Sequence, residues 1–139
     1  MKDLYVARVA IQHGRDGTAK SEDGNLDVRL AFPRQLGGNG QVTNPEQLLA
    51  AGSSACFASA VRFVAGQKKL DAGTVTVDTA VTLFVREDGR YGLRADFDVK
   101  APGLSGEDLD AVIAEAKRIC AYTNATAGNV ETRFTVTGA

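Results

Sequence analysis

Cys56 and Cys120 are the only thiols in this 139-residue chain, so one internal disulfide is the most it can form. Cys56 stands in Leu48-Leu49-Ala50-Ala51-Gly52-Ser53-Ser54-Ala55-Cys56-Phe57, which reads as a buried helix. Cys120 follows Ile119 and precedes Ala121-Tyr122-Thr123-Asn124-Ala125-Thr126, where a helical stripe ends. A thiol in each place can serve as attacker and resolver in a redox cycle. One thiolate is oxidised and the other condenses with it. The plainer reading makes each a small buried hydrophobe, the usual role of an internal cysteine.

The reactive reading needs a thiolate, and a nearby cation favours one. Arg15, in Gly14-Arg15-Asp16-Gly17, is one source, although an arginine at a hairpin tip is ordinarily just solvated. Arg62 shares the helix of Cys56, but six residues on it points about 120° away. Glu46 can orient an arginine, because carboxylate and guanidinium pair bidentately. It can equally be an acid in the first turn of a helix, where the dipole favours it. Glu46 and Cys56 are ten residues apart, about 15 Å along one straight helix, so their side chains cannot touch there without a bridging group or a second subunit. His13 is the only histidine and has no acids at ligand spacing, so no metal site is expected. No local motif supports a Cys–His pair. Gly37-Gly38-Asn39-Gly40 does not fit a phosphate cradle and reads as a loop.

Length and composition bound the setting of these residues. A chain of this size is expected to be one domain, residues 1–139. It is 44% hydrophobic, enough for a packed core, and its net charge of -1 offers no footprint for nucleic acid or an anionic membrane. No charge-free run of 18 apolar residues occurs, so no membrane span is expected. The N-terminus runs straight into a strand pattern without a secretory signal, which leads to the expectation of a cytoplasmic protein. In that compartment a cysteine pair is more often catalytic or redox-sensing than a permanent staple.

The elements that must position the thiols follow from periodicity. Alternation predicts strands over about 3–12, 18–22 and 26–32, with turns at Gly14–Gly17 and Asp23–Asn25, then a glycine-rich loop from Pro33 to Thr43. Asn44-Pro45 predicts a helix start, Asn as cap and Pro in the first turn, and the apolar pattern runs to about Gln67. Between Leu48 and Val64 its only charge is Arg62. A helix apolar all round is buried on all sides. One sheet covers one side of it, and a second copy of the chain can cover the other. Strands are expected at 74–87 and 91–100 around an Asp88-Gly89 hairpin. Ser105-Gly106-Glu107-Asp108 resembles a capping box ahead of a helix reaching Ile119, and 130–137 is a last strand. The order βββ-α-ββ-α-β is an α+β plan.

Thr43-Asn44-Pro45-Glu46-Gln47-Leu48, then Ala50-Ala51-Gly52 and Ala55-Cys56-Phe57, resembles the organic hydroperoxide resistance proteins of the OsmC/Ohr superfamily. Cys120-Ala121-Tyr122-Thr123-Asn124-Ala125-Thr126 with Gly128-Asn129-Val130 is similar to that family's second-cysteine motif, and the element order fits over nearly the whole chain. The resemblance implies an OsmC-like fold, an intertwined homodimer with central buried helices, and a thiol peroxidase. It implies Cys56 as the peroxidatic cysteine and Cys120 as the resolving one. It implies Arg15 as the stabiliser of the thiolate and Glu46 as the acid that holds Arg15. A dithiol, lipoyl or dihydrolipoamide, is the implied reductant. No metal, haem or flavin is implied. The family usually has Pro after the second cysteine, whereas this chain has Ala121, which would loosen the segment. Phe57, Leu36, Phe32 and Tyr122 are the expected walls of an apolar pocket for the hydroperoxide tail, although Tyr122 read by itself is a packing residue. The competing class is a non-enzymatic redox sensor, which is oxidised once where an enzyme turns over.

Overall fold

The computed structural model describes residues 1–139. They divide into two compact units, Met1–Leu48 and Leu49–Ala139. The first holds strands β1 (Val9–Gln12), β2 (Thr18–Ser21) and β3 (Asp27–Arg29). They form an antiparallel sheet in the order β1-β2-β3, with Ile11 opposite Ala19 and Ala19 opposite Val28. The turn expected at Gly14–Gly17 joins β1 to β2 and is closed by the Gly17 N–H donating to the Gly14 carbonyl. β1 is shorter than expected. Leu4, Tyr5 and Val6 alternate like a strand but have no partner strand in the chain, and all three are exposed. β3 also stops early, and Leu30 continues only as a single bridge to Thr43. A short 3-10 helix, Arg34–Leu36, interrupts the expected loop.

Helix α1 (Pro45–Gln67) begins where Asn44-Pro45 places it. The Gln47 N–H donates to Asn44 Oδ1 at 2.9 Å, satisfying one of the amides that a helix start leaves open. From Leu49 on, α1 belongs to the second unit, with β4 (Thr76–Val85), β5 (Tyr91–Lys100), α2 (Gly106–Ile119), α3 (Ala121–Thr126) and β6 (Glu131–Thr137). β5 is the central strand, antiparallel to β4 and parallel to β6. The hairpin at Asp88-Gly89 closes through the Gly89 N–H and the Arg86 carbonyl. The parallel β5–β6 pair needs a crossover, and α2 and α3 supply it. The architecture is α+β, as expected.

The core of this unit lies between α1, β5 and α2. Phe57, Val61 and Val64 come from α1, Ala95, Phe97 and Val99 from β5, and Val112, Ile113 and Ala116 from α2. The Phe97 and Phe134 rings stack 4.8 Å apart, and Phe57 meets Phe134 at 5.1 Å. Only one side of α1 is buried within the chain, and Phe63 is 58% exposed. With 23 residues, including an 18-residue stretch of mean hydropathy 1.5, α1 is long and apolar enough to cross a membrane even with Arg62 inside it. The core helix of a folded unit meets the same measure.

Two local expectations need correcting. Ser105 precedes α2, but its side chain makes no capping bond. Gly106 has a φ of 55°, so the helix starts through a left-handed residue that only glycine adopts freely, and the capping box does not form. The element order also gains α3. Cys120 is not simply a helix end. It is the single residue between α2 and α3, extended at φ -66° and ψ 124°.

Candidate active site

The Sγ atoms of Cys120 and Cys56 lie 3.4 Å apart, and both thiols are free. Two helices and one corner produce that distance. Cys56 is half-buried on α1, next to the core residue Phe57. Cys120 is buried in the bend between α2 and α3. The bend is tied on both sides: the Cys120 N–H donates to the Ala116 carbonyl, and the Cys120 carbonyl accepts from the Asn124 N–H. The Asn124 side chain reaches back to the Arg118 carbonyl at 2.9 Å.

The two sulfurs ionise as a pair, because a charge on one opposes a charge on the other. Burial pushes the Cys56 thiol up; the N–H groups of Tyr122 and Ala121 lower it in part, and the neighbouring Cys120 raises it further. Burial also acts upward on Cys120. There the Thr123 N–H and hydroxyl, together with Cys56 and the Tyr122 N–H, outweigh it, and the thiol lies below its ordinary value. Drawn with Cys120 as donor, the sulfur–sulfur contact would favour charge on Cys56. The Thr123 and Tyr122 donors around Cys120 favour the reverse, and they prevail among the groups of this unit because they outnumber one weak S–H donor. A cation beside Cys56 would favour charge there instead.

The first unit holds a cation, Arg15, in a fixed pose. Arg15 Nη1 and Nη2 donate to Glu46 Oε2 and Oε1 at 2.8 and 2.6 Å, a bidentate pair. The Glu46 side chain is only 16% exposed, and the Arg15 hydrogen bonds hold its carboxyl below the usual range. The structure therefore brings Arg15 and Glu46 together in one unit, and Cys56 and Cys120 together in the other. Arg62 is exposed on α1.

The four expected pocket residues fall in different places. Phe57 is 1% exposed and belongs to the aromatic core. Phe32 lines a hollow of about 470 Å³ in the first unit, with His13, Asp16 and Arg29 among its neighbours. Leu36 is half exposed in the 3-10 helix. Tyr122, on α3, packs its ring end against Gly52 of α1. Thr123, Asn124 and Gly52 were not among the expected site residues. Gly52 had a signal, since an isolated glycine inside a helix costs stability unless something needs the space. No cluster of three metal-ligating side chains is present.

The OsmC-like protein family model matches residues 38–135. The chain is 40% identical over 137 residues to an organic hydroperoxide resistance protein of Xanthomonas axonopodis pv. citri, covering 97% of this chain and 96% of the relative. This chain belongs to the organic hydroperoxide resistance family of OsmC-like proteins. Two solved structures share its fold. The organic hydroperoxide resistance protein of Elizabethkingia anophelis, solved with thiocyanate, superposes with a TM-score of 0.94 at 38% identity over 100% of both chains. A putative organic hydroperoxide resistance protein of Vibrio cholerae, with captopril in one of its active sites, gives 0.93 at 31% identity, covering 98% of this chain and 94% of that one.

Proposed function

We propose that the protein is a cysteine-based peroxidase that reduces organic hydroperoxides to alcohols. The observation that carries this reading is the 3.4 Å separation of the only two sulfurs in the chain. The Cys56 thiolate attacks the terminal peroxide oxygen; the O–O bond breaks, the alkoxide leaves as the alcohol and Cys56 becomes a sulfenic acid. The Cys120 sulfur then attacks Cys56, the S–O bond breaks, and water leaves as the disulfide forms. An external dithiol, a lipoyl group or dihydrolipoamide, returns both thiols and is itself oxidised.

Arg15 supplies the charge that the surroundings of Cys56 lack, and Glu46 fixes its guanidinium. The bidentate pair supports this role, because an arginine so held is pre-organised. The working form is a homodimer in the cytoplasm, in which a second α1 covers the face that leaves Phe63 exposed. Phe32, Leu36, Tyr122 and the neighbourhood of Phe57 contribute apolar surface for the hydroperoxide tail. The test is rapid-mixing oxidation of wild type, Cys56→Ser and Cys120→Ser by an aryl hydroperoxide. Wild type should form the disulfide, Cys120→Ser should stop at a sulfenic acid, and Cys56→Ser should not react. Full peroxide consumption by Cys56→Ser would overturn the assignment.

A further inference from the structure

Gly52 sits one helical turn before Cys56, on the same face of α1. A Cβ built there would stand 2.8 Å from Tyr122 Oη and 3.2 Å from Tyr122 Cζ. Tyr122 is two residues beyond Cys120, whose sulfur meets Cys56. The corner formed by Cys120 and the start of α3 therefore meets α1 at two successive points, the Tyr122 ring against Gly52 and the Cys120 sulfur against that of Cys56. The same corner is tied to α2 by the Asn124–Arg118 bond. It lacks the proline that would otherwise stiffen the residue after the cysteine, because Ala121 stands there.

We infer that Gly52 is a positioning residue for the resolving step: its bare Cα seats the Tyr122 ring, and that seat holds Cys120 in reach of Cys56. The inference rests on the peroxidase reading for its redox partner, but not for its geometry. A side chain at 52 must displace the phenol end. If the ring is what anchors α3, the sulfur moves with it. Reactions between held groups lose about 10²-fold for a displacement near 1 Å.

Closure is read separately from the first oxidation by mixing reduced protein with one equivalent of hydroperoxide and following sulfenic acid and disulfide in time. In Gly52→Ala the closure rate, relative to the first phase of the same variant, should fall by about tenfold or more. The double variant Gly52→Ala/Tyr122→Phe, which removes the atom nearest the new Cβ, should regain most of it. Alanine in mid-helix favours folding, so slower closure in a chain that is no less stable separates positioning from general damage. A closure ratio equal to wild type in Gly52→Ala, or no recovery in the double variant, overturns the inference. If wild type does not react with hydroperoxide, the peroxidase reading fails by itself. Closure is then driven by oxidised glutathione: Cys56 takes a mixed disulfide, Cys120 displaces glutathione thiolate, and the same ratios and outcomes apply.

Discussion

Opposing influences meet at the Cys56 sulfur. Burial and the adjacent thiol push its pKa up, and the Tyr122 and Ala121 N–H groups only partly counter them. A nearby cation would favour the thiolate, and the proposed one is Arg15. Arg15→Ala should move the pH profile of Cys56 alkylation to higher pH, because the thiolate loses its opposite charge. An unmoved profile would pass the role to another group, with Arg62 next. Glu46 gives a second pH effect of opposite sign. Its folded pKa is depressed by Arg15, so the pair adds stability above the ordinary carboxylate range and loses it as pH falls through the depressed value. Arg15 is about a third exposed, and solvent screening keeps the contribution to about 1 kcal/mol. Glu46→Gln should therefore lower neutral stability by about 1 kcal/mol, leave acid stability nearly unchanged, and so flatten the acid limb of a urea-denaturation series.

Helix α1 was legible from its first residue to its last, because Asn44-Pro45 marks a start by a local mechanism and the apolar run marks the extent. β5 was equally legible, since Ala95, Phe97 and Val99 alternate into the core. The first strand was read too long: residues 3–8 carry the alternation, but pairing in a sheet needs a partner that a local pattern does not reveal. The six residues of α3 were missed because they follow another helix after a single extended residue, and the run is too short for a periodic stripe. With two cysteines only one internal pairing was open; the roles of Cys56 and Cys120, and the pairing of Arg15 with Glu46, came from the family resemblance. Residues alone left Arg62 and the plain structural roles open. The corner at Cys120 supports a prediction. Its extended backbone suits the residue before a proline, and Ala121 is the first residue of α3, where proline is favoured. Ala121→Pro should stiffen the chain, but it gives up a bonded N–H, so urea denaturation should show less than the full gain of about 0.4–1 kcal/mol that a proline brings at an unbonded site. That N–H faces Cys56, so the alkylation profile should shift upward in pH.

On the scale of the whole molecule, one chain leaves an apolar helix face uncovered at Phe63 and an unpaired N-terminal segment at Leu4, Tyr5 and Val6. The proposed second copy would cover the first. Light scattering at micromolar concentration should give twice the chain mass, and a monomer would remove the dimer from the proposal. If each site draws on both chains, mixing inactive Cys56→Ser with inactive Glu46→Ala chains should restore activity in the heterodimer; no recovery would place each site within one chain. The central claim is catalysis, which a sensor with the same disulfide would not perform. Its most direct test is the steady-state consumption of an aryl hydroperoxide with dihydrolipoamide as reductant, set beside hydrogen peroxide. Many equivalents should be consumed per chain, with a higher kcat/KM for the aryl hydroperoxide. Consumption that stops at one equivalent per chain, or a preference for hydrogen peroxide, would contradict it.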